Sequence, residues 1–421
     1  MEITPEQQPL LRNPNFRWMT CGNIISNLGD QFTLIALPWL VLKMSTDPLQ
    51  LGLVIAIMSI PRALFILIGG ALVDHYSPKR VLMLTKYINV LLLGVLSALV
   101  LTNHLTMPLV YLLALGIGLA SAFSIPSGSS LLPNVIPSSQ LDAANSIQMS
   151  VRQLAMLLGP VLAGLLIAGA GNHPSAGAIS DALGLGLAFA LNCLSFALSA
   201  WTLHQVDVQF SPKTSARQPI FRAVGEGLQM VWRDQMLRTM FLYWGVIAFV
   251  VGGITQVGLP LLANSQLHSA AALGLLLGAH GTGTLLGMLG STQGRKLRVG
   301  TLGRTLLLID GVIGIIFMPL GLIHTAWQGI ALLLPMGLLA GLMQITVITW
   351  IQRRVPAAML GRTMSIMMFV FIGTPSLGAS VFGALMQYLP LADLFAAGGL
   401  ILISLALLAF AATPLRKLAD I

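Results

Sequence analysis

The chain has 421 residues, 56% of them hydrophobic and only 8% charged, with a formal net charge of +9. Soluble domains carry about 25% charged residues, so there is too little polar surface here for a water-soluble globule of this length. A net positive charge on such a chain points to membrane topology and not to a nucleic-acid partner.

Apolar windows long enough to cross a bilayer fall at roughly 16–42, 49–73, 81–102, 107–131, 143–170, 182–203, 236–262, 271–291, 301–322, 327–350, 361–388 and 391–413. Twelve spans predict an all-α membrane protein. The first window is too long for the apolar core of a cleavable leader, so no signal peptide is expected. Cys21 and Cys193 fall inside windows and imply neither a disulfide nor a metal site.

With the N-terminus placed inside, nineteen of the 22 Lys and Arg fall on inner segments and span ends, Lys86 among them, and only Lys43 on an outer loop. Arg62 and Arg152 lie within spans. This asymmetry sets both termini of a multi-pass protein on the cytoplasmic side.

The longest polar stretch, 204–235, separates two six-span halves, 1–203 and 236–421. Within it Ile220, Val224, Leu228 and Val231 recur at helical spacing, which predicts an amphipathic helix on the inner membrane surface. A plain linker between the halves is an equally good reading.

The halves resemble each other. At an offset of 219, VIPSSQLDAANSI (135–147) aligns with RVPAAMLGRTMSI (354–366), and Gly159 and Gly164 fall on Gly378 and Gly383. Parallel six-helix repeats imply a substrate site between the halves near mid-membrane, with alternating access.

The loop between spans two and three reads GGALVDHYSPKR (69–80). With the 6+6 repeat, it resembles the G-x-x-x-D-R-x-G-R-[KR] signature of the major facilitator superfamily, through Gly70, Asp74, Lys79 and Arg80. His75 stands where Arg is expected, Ser77 replaces the second Gly, and the basic pair comes one position late. The resemblance implies a cytoplasmic gating role for these residues. GPVLAG (159–164) in span five resembles the G-P-x-x-x-G motif of drug/proton antiporters, carried by Gly159, Pro160 and Gly164. Helix packing by small residues is the plainer reading of it.

Along nearly its whole length the chain is similar to the drug/proton antiporter branch that includes macrolide efflux proteins and the enterobactin exporter. That resemblance implies the major facilitator fold, two pseudo-symmetric six-helix bundles, and monomeric, proton-driven export of small amphiphilic molecules such as drugs or macrolides. Siderophore export, lysolipid flipping, and a transport-inactive scaffold or sensor are the alternatives.

Three charges lie deep in the first half. Asp30 is 14 residues past Phe16, ~21 Å along a helix, and Arg62 is 13 residues past Leu49, ~20 Å. Arg152 lies ~14 Å into span five. A carboxylate at bilayer centre costs about 2.5–3.5 kcal/mol on insertion scales, so Asp30 needs a reason to be there. Either it exchanges a proton, with Arg62 or Arg152 tuning it or meeting an anionic group, or it holds a permanent pair with Arg62. In the second half Asp310 is the one acid deep inside a span and His280 a possible switch. Gln31, Gln148 and Gln256 are candidates for lining a cavity. No phosphate loop, paired catalytic carboxylates or Cys/His cluster is present in the sequence, so neither an enzyme nor a cofactor is expected. The expected partners are substrate, protons and membrane lipid.

Overall fold

The computed structural model describes residues 10–75, 77–170, 179, 181–208, 220–290 and 300–418, except the side chains of 66–75, 138, 220–223, 357–358 and 417. Among the described residues there is no strand, and twelve helical segments are long and apolar enough to cross a membrane. They are α1 (Pro14–Met44), α2 (Pro48–His75), α3 (Pro78–Leu101), α4 (Met107–Leu131), α5 (Leu141–Ala170), α6 (Ala182–His204), α8 (Gln235–Ile247) continued by α9 (Gly253–Ser265), α10 (Ala270–Gly290), α11 (Leu302–Phe317), α12 (Ala326–Arg354), α13 (Ala357–Leu385) and α14 (Leu391–Ala412). A short helix, α7 (Ile220–Arg233), precedes α8. The bounds agree with the apolar windows to within five residues, the largest gap being at the end of α11, where a 3-10 turn Met318–Leu322 continues the span.

The helix ends follow local chemistry. Asn13 Oδ1 accepts from the backbone N–H of Asn15 and Phe16 ahead of α1. Thr325 and Gln328 form a capping box at α12. Asp234 accepts from the N–H groups of Met236 and Leu237 at α8. A π-helical turn, Ala248–Gly252, joins α8 to α9.

Two compact units emerge from the packing: residues 1–44 with 61–217, and residues 45–60 with 218–421. The boundary inside α2 falls at Pro61, a proline within the helix. The first half of α2 packs with the second unit: Gln387 Nε2 donates to Asp47 at 2.7 Å, and Ser380 donates to the Gly52 carbonyl at 3.3 Å.

In the first unit α1 packs on α5 and α6, and α3 on α4 and α6. In the second, α13 packs on the α8–α9 span and α11 on α14. Spans one and five, and three and six, therefore pair as seven and eleven, and nine and twelve, do. That is the packing expected of repeated halves.

Without a hydrophobic drive between helices in lipid, close contact relies on small residues. On α10 and α12, a Cβ built on Gly283, Gly287, Gly337 or Gly341 would lie 2.0–2.2 Å from a carbonyl oxygen of the facing helix. The glycine-rich stretch 278–287 is thus a contact surface and not a phosphate loop.

A helix, α7, forms over this stretch, but Leu228 and Val231, expected on one apolar face, differ in burial. Val231 is buried in the core with Leu237, Met240, Trp244 and Trp350. Leu228 and Trp232 on another face are exposed. Glu226 pairs with Arg362 on α13, and Asp234 with Arg354 at 2.9 Å. One face of α7 is therefore spent on the second unit.

Two predictions follow from this packing. Gly341→Val is expected to cost about 1–3 kcal/mol by overpacking α10 against α12, read as a fall in the melting temperature of detergent-purified protein; wild-type melting would refute the close contact. Asp234→Ala is expected to cost about 1 kcal/mol through the lost cap. Burial opposes ionisation of Asp234, but the Arg354 hydrogen bond and the capping N–H groups outweigh it and hold its carboxyl below the usual range. Its contribution is therefore full above the ordinary carboxylate range and is lost as pH falls through the lowered value. Melting scanned from neutral pH into acid should show that loss in wild type and not in the alanine variant.

Candidate functional site

The deep charges of the first unit lie on four helices: Asp30 on α1, Arg62 on α2, Lys86 on α3 and Arg152 on α5. Gly22 and Gly29 let α6 approach: a Cβ on Gly22 would meet Thr202 and Ser199, and one on Gly29 would meet Ser195 and Asn192. A polar seam results. Asn192 donates to Thr33 Oγ1 at 2.7 Å, and Ser199 donates to the Gly22 carbonyl at 2.8 Å.

Asp30, one residue past Gly29, is exposed on α1. Among the described residues no ion pair within 4.0 Å joins it to any cation, so a closed Asp30–Arg62 pair is not the arrangement seen. The cations acting on its carboxylate at longer range are Arg62 and Lys86, and Asn192 also approaches it. Arg62 is half-buried, with Nε buried and lacking a hydrogen-bond partner. Arg152 is exposed and adds its charge to the field at Arg62.

Lys86 is the residue that sequence reasoning missed. Counted there as an inner-surface topology signal, it is only 4% exposed within α3. The signal was available. Leu82, Thr85, Asn89 and Leu93 mark the buried face of α3, and Lys86 lies on that face by helical spacing.

The antiporter-type motif packs against this site. A Cβ on Gly159 would lie 2.4 Å from Cβ and Cγ of Gln31, next in sequence to Asp30. Pro160 and Gly164 are buried beside it on α5. Gln31 is thus half-buried against α5 through its stem. Gln148, half-buried, accepts from Asn23 at 3.0 Å and donates to Thr20 at 3.3 Å, tying α5 to α1.

In the gating-loop motif, Lys79 Nζ donates to the carbonyls of Val206 and, at 3.2 Å, His204 beyond the end of α6. Positive charge there complements the helix C-terminus. Arg80 is exposed. Gly70 lies in α2, and the Asp74 side chain lies outside the described residues.

Asp310 and Gln256 belong to the second unit. Asp310 is 1% exposed on α11 and accepts from the Tyr243 hydroxyl on α8 at 2.8 Å. Gln256 is half-buried on α9, its Oε1 without a partner. His280 lies on α10, where its buried Nδ1 lacks a partner. The deep acids of the two units thus differ: one is open and unpaired, the other enclosed and hydrogen-bonded.

A family model described as transmembrane secretion effector matches residues 7–421. The chain belongs to that family, within the major facilitator superfamily. It is 27% identical over 273 residues to the multidrug efflux pump Tap of Mycolicibacterium fortuitum, a match covering 63% of this chain and 64% of that one, so under two thirds of that relative's length. It is 26% identical over 407 residues to the enterobactin exporter EntS of Salmonella typhimurium, covering 95% and 92% of the two chains. Among solved structures it superposes on the nucleoside transporter NupG (TM-score 0.72, 14% identity, 94% and 98% coverage). It also superposes on a bacterial homologue of the iron transporter ferroportin in an inward-facing state (TM-score 0.65, 18% identity, 95% and 99% coverage). Both structural likenesses establish the fold. The chain is a multi-pass transporter and not an enzyme.

Gly159→Leu is expected to push α5 off α1 beside Asp30 and to reduce transport severely in membranes that still contain the protein. Gly159→Leu at full activity, with immunoblots showing equal amounts, would contradict a tight α1–α5 contact.

Proposed function

We propose that the protein is a secondary exporter of small amphiphilic molecules, such as drugs or macrolides, in the bacterial inner membrane with both termini cytoplasmic. It works by alternating access, driven by protons entering at Asp30. The observation that carries this reading is Asp30 itself: a carboxylate deep in a spanning helix, exposed and without an ion pair. Intramembrane acids that are open and unpaired serve proton or ion pathways. An acid locked in a close ion pair would stay ionised and could not carry a proton. The positive-inside asymmetry supports the orientation, and the names of the efflux and siderophore-export relatives support outward transport.

Gly159, Pro160 and Gly164 keep α5 close to α1 at the height of Asp30, so a change in α5 is felt at the acid. Gly70, Asp74, Lys79 and Arg80 latch the cytoplasmic side. Asp310, enclosed with Tyr243, and Gln256 are secondary candidates in the second unit.

The charge balance of the first unit favours a second reading. Arg62 and Lys86 act on one carboxylate, and Arg152 adds a further positive charge beside Arg62. That excess of positive charge suits an acidic substrate, such as a siderophore bearing catecholate groups, and opposes a cationic drug.

The test is accumulation of fluorescent dyes, a macrolide and a catecholate in an efflux-deficient bacterial host. Wild type is expected to lower accumulation of at least one compound, and both Asp30→Asn and a protonophore to abolish that effect. Export by Asp30→Asn equal to wild type would end the assignment of Asp30 and move the search to Asp310 and His280.

A further inference from the structure

The junction of α7 with α8 carries an exposed surface that the transport mechanism does not use. Leu228 and Trp232, one helical turn apart on α7, are each more than half exposed. Arg238 follows in the first turn of α8, half-buried, and its guanidinium stands 5.7 Å from the Trp232 ring centroid. Its Nη1 donates to the Trp232 carbonyl at 3.4 Å. Beyond it, Leu242 and Val246 recur at four-residue spacing along α8, and both are exposed. One cation thus sits at the foot of an exposed apolar stripe, with an indole beside it.

The faces of α7 fall in a definite order. Val231 is buried, Leu228 and Trp232 come next around the helix, and the exposed polar Gln229 and Arg233 follow. That succession fits a helix lying between protein, lipid and water. The acids nearby are already engaged: Glu226 with Arg362 on α13, and Asp234 with Arg354 on α12. Among the described residues no ion pair within 4.0 Å joins Arg233 or Arg238 to a carboxylate. A guanidinium has five N–H donors in a planar fork, and capping the end of α7 uses one of them. An acceptor for the others must be anionic at the surface and hydrocarbon beyond it.

We propose that the α7–α8 junction is a docking site for an anionic phospholipid of the inner leaflet. Arg238 holds the phosphate, Leu228 and Trp232 lie at headgroup level, and an acyl chain runs along Leu242 and Val246. The site rests on the orientation proposed above, which sets α7 on the cytoplasmic side, and not on the role of Asp30. Charge selects the occupant. Arg233 and Arg238 favour a lipid of net negative charge, whereas a zwitterionic one brings a cation of its own to the same place. Aromatic rings with one polar edge belong at this depth, and arginine meets phosphate with two parallel hydrogen bonds.

The test is melting of the full-length protein in detergent, titrated with dioleoylphosphatidylglycerol or dioleoylphosphatidylcholine. The anionic lipid is expected to raise the melting temperature by about 2 °C or more above the zwitterionic one, since a ligand of the folded state stabilises it. Arg238→Gln and Trp232→Ala should each lose at least half of that increment, measured from their own lipid-free melting, so that loss of the α7 cap is not counted. Arg12→Gln, which removes one exposed inner charge elsewhere, should keep it. Equal effects of the two lipids, or a full increment in Arg238→Gln, would overturn the proposal. So would an equal loss in Arg12→Gln, which would mean diffuse attraction and no site. Glycerol 3-phosphate is expected to give no increment; one as large as the lipid's would mean a site for free phosphate and would overturn the lipid.

Discussion

Charge in a low-dielectric span is the constraint on which the first unit is built. Each ionised side chain at mid-membrane costs several kcal/mol unless something answers it. The unit sets one carboxylate in the field of two cations, Arg62 and Lys86, and among the described residues closes no ion pair at 4.0 Å with it. Much of the surrounding architecture serves that arrangement. Gly22 and Gly29 bring α6 close enough for its serines and Asn192 to form a polar seam, and Gly159 brings α5 against the stem of Gln31. The polar groups of the seam make hydrogen bonds across helices, which a membrane interior demands of any group that cannot reach water.

The second unit solves the same problem differently. Its deep acid is enclosed and answered by one phenol, Tyr243. Its helices interlock through glycines whose facing carbonyls leave no room for a side chain. A unit with its acid buried and hydrogen-bonded suits a scaffold, and one with its acid open and unpaired suits exchange chemistry. The division inside α2 belongs with this contrast: Arg62 directly follows Pro61, where the helix passes from the packing of one unit to that of the other. Under an alternating-access mechanism, that junction is where movement of α2 would alter the field at Asp30.

The spans were legible in the sequence because a bilayer sets one length for every crossing. Glycines in an apolar run mark a helix contact such as that of α10 with α12, but not the partner helix. Depth along each helix was recoverable from 1.5 Å per residue, which placed Asp30 and Arg62 near mid-membrane. Lateral position was not. Whether Asp30 and Arg62 touch depends on how α2 leans on other helices, and no local pattern encodes that. Lys86 was hidden for the same reason. A lysine a few residues from a span end counts as a surface signal, and its burial depends on Ser199 and Phe196, more than a hundred residues away in the chain. The partners of Gln148, Asn23 and Thr20, were hidden likewise, since they lie on another helix.

The central claim is that the open acid of the first unit exchanges protons with the outside as substrate leaves. Current recorded from reconstituted protein on a solid-supported membrane, after a jump in external proton concentration, tests it most directly. The account predicts a transient charge movement in wild type that saturates with proton concentration and disappears in Asp30→Asn, while Asp310→Asn retains it. The same transient in Asp30→Asn as in wild type would contradict the account.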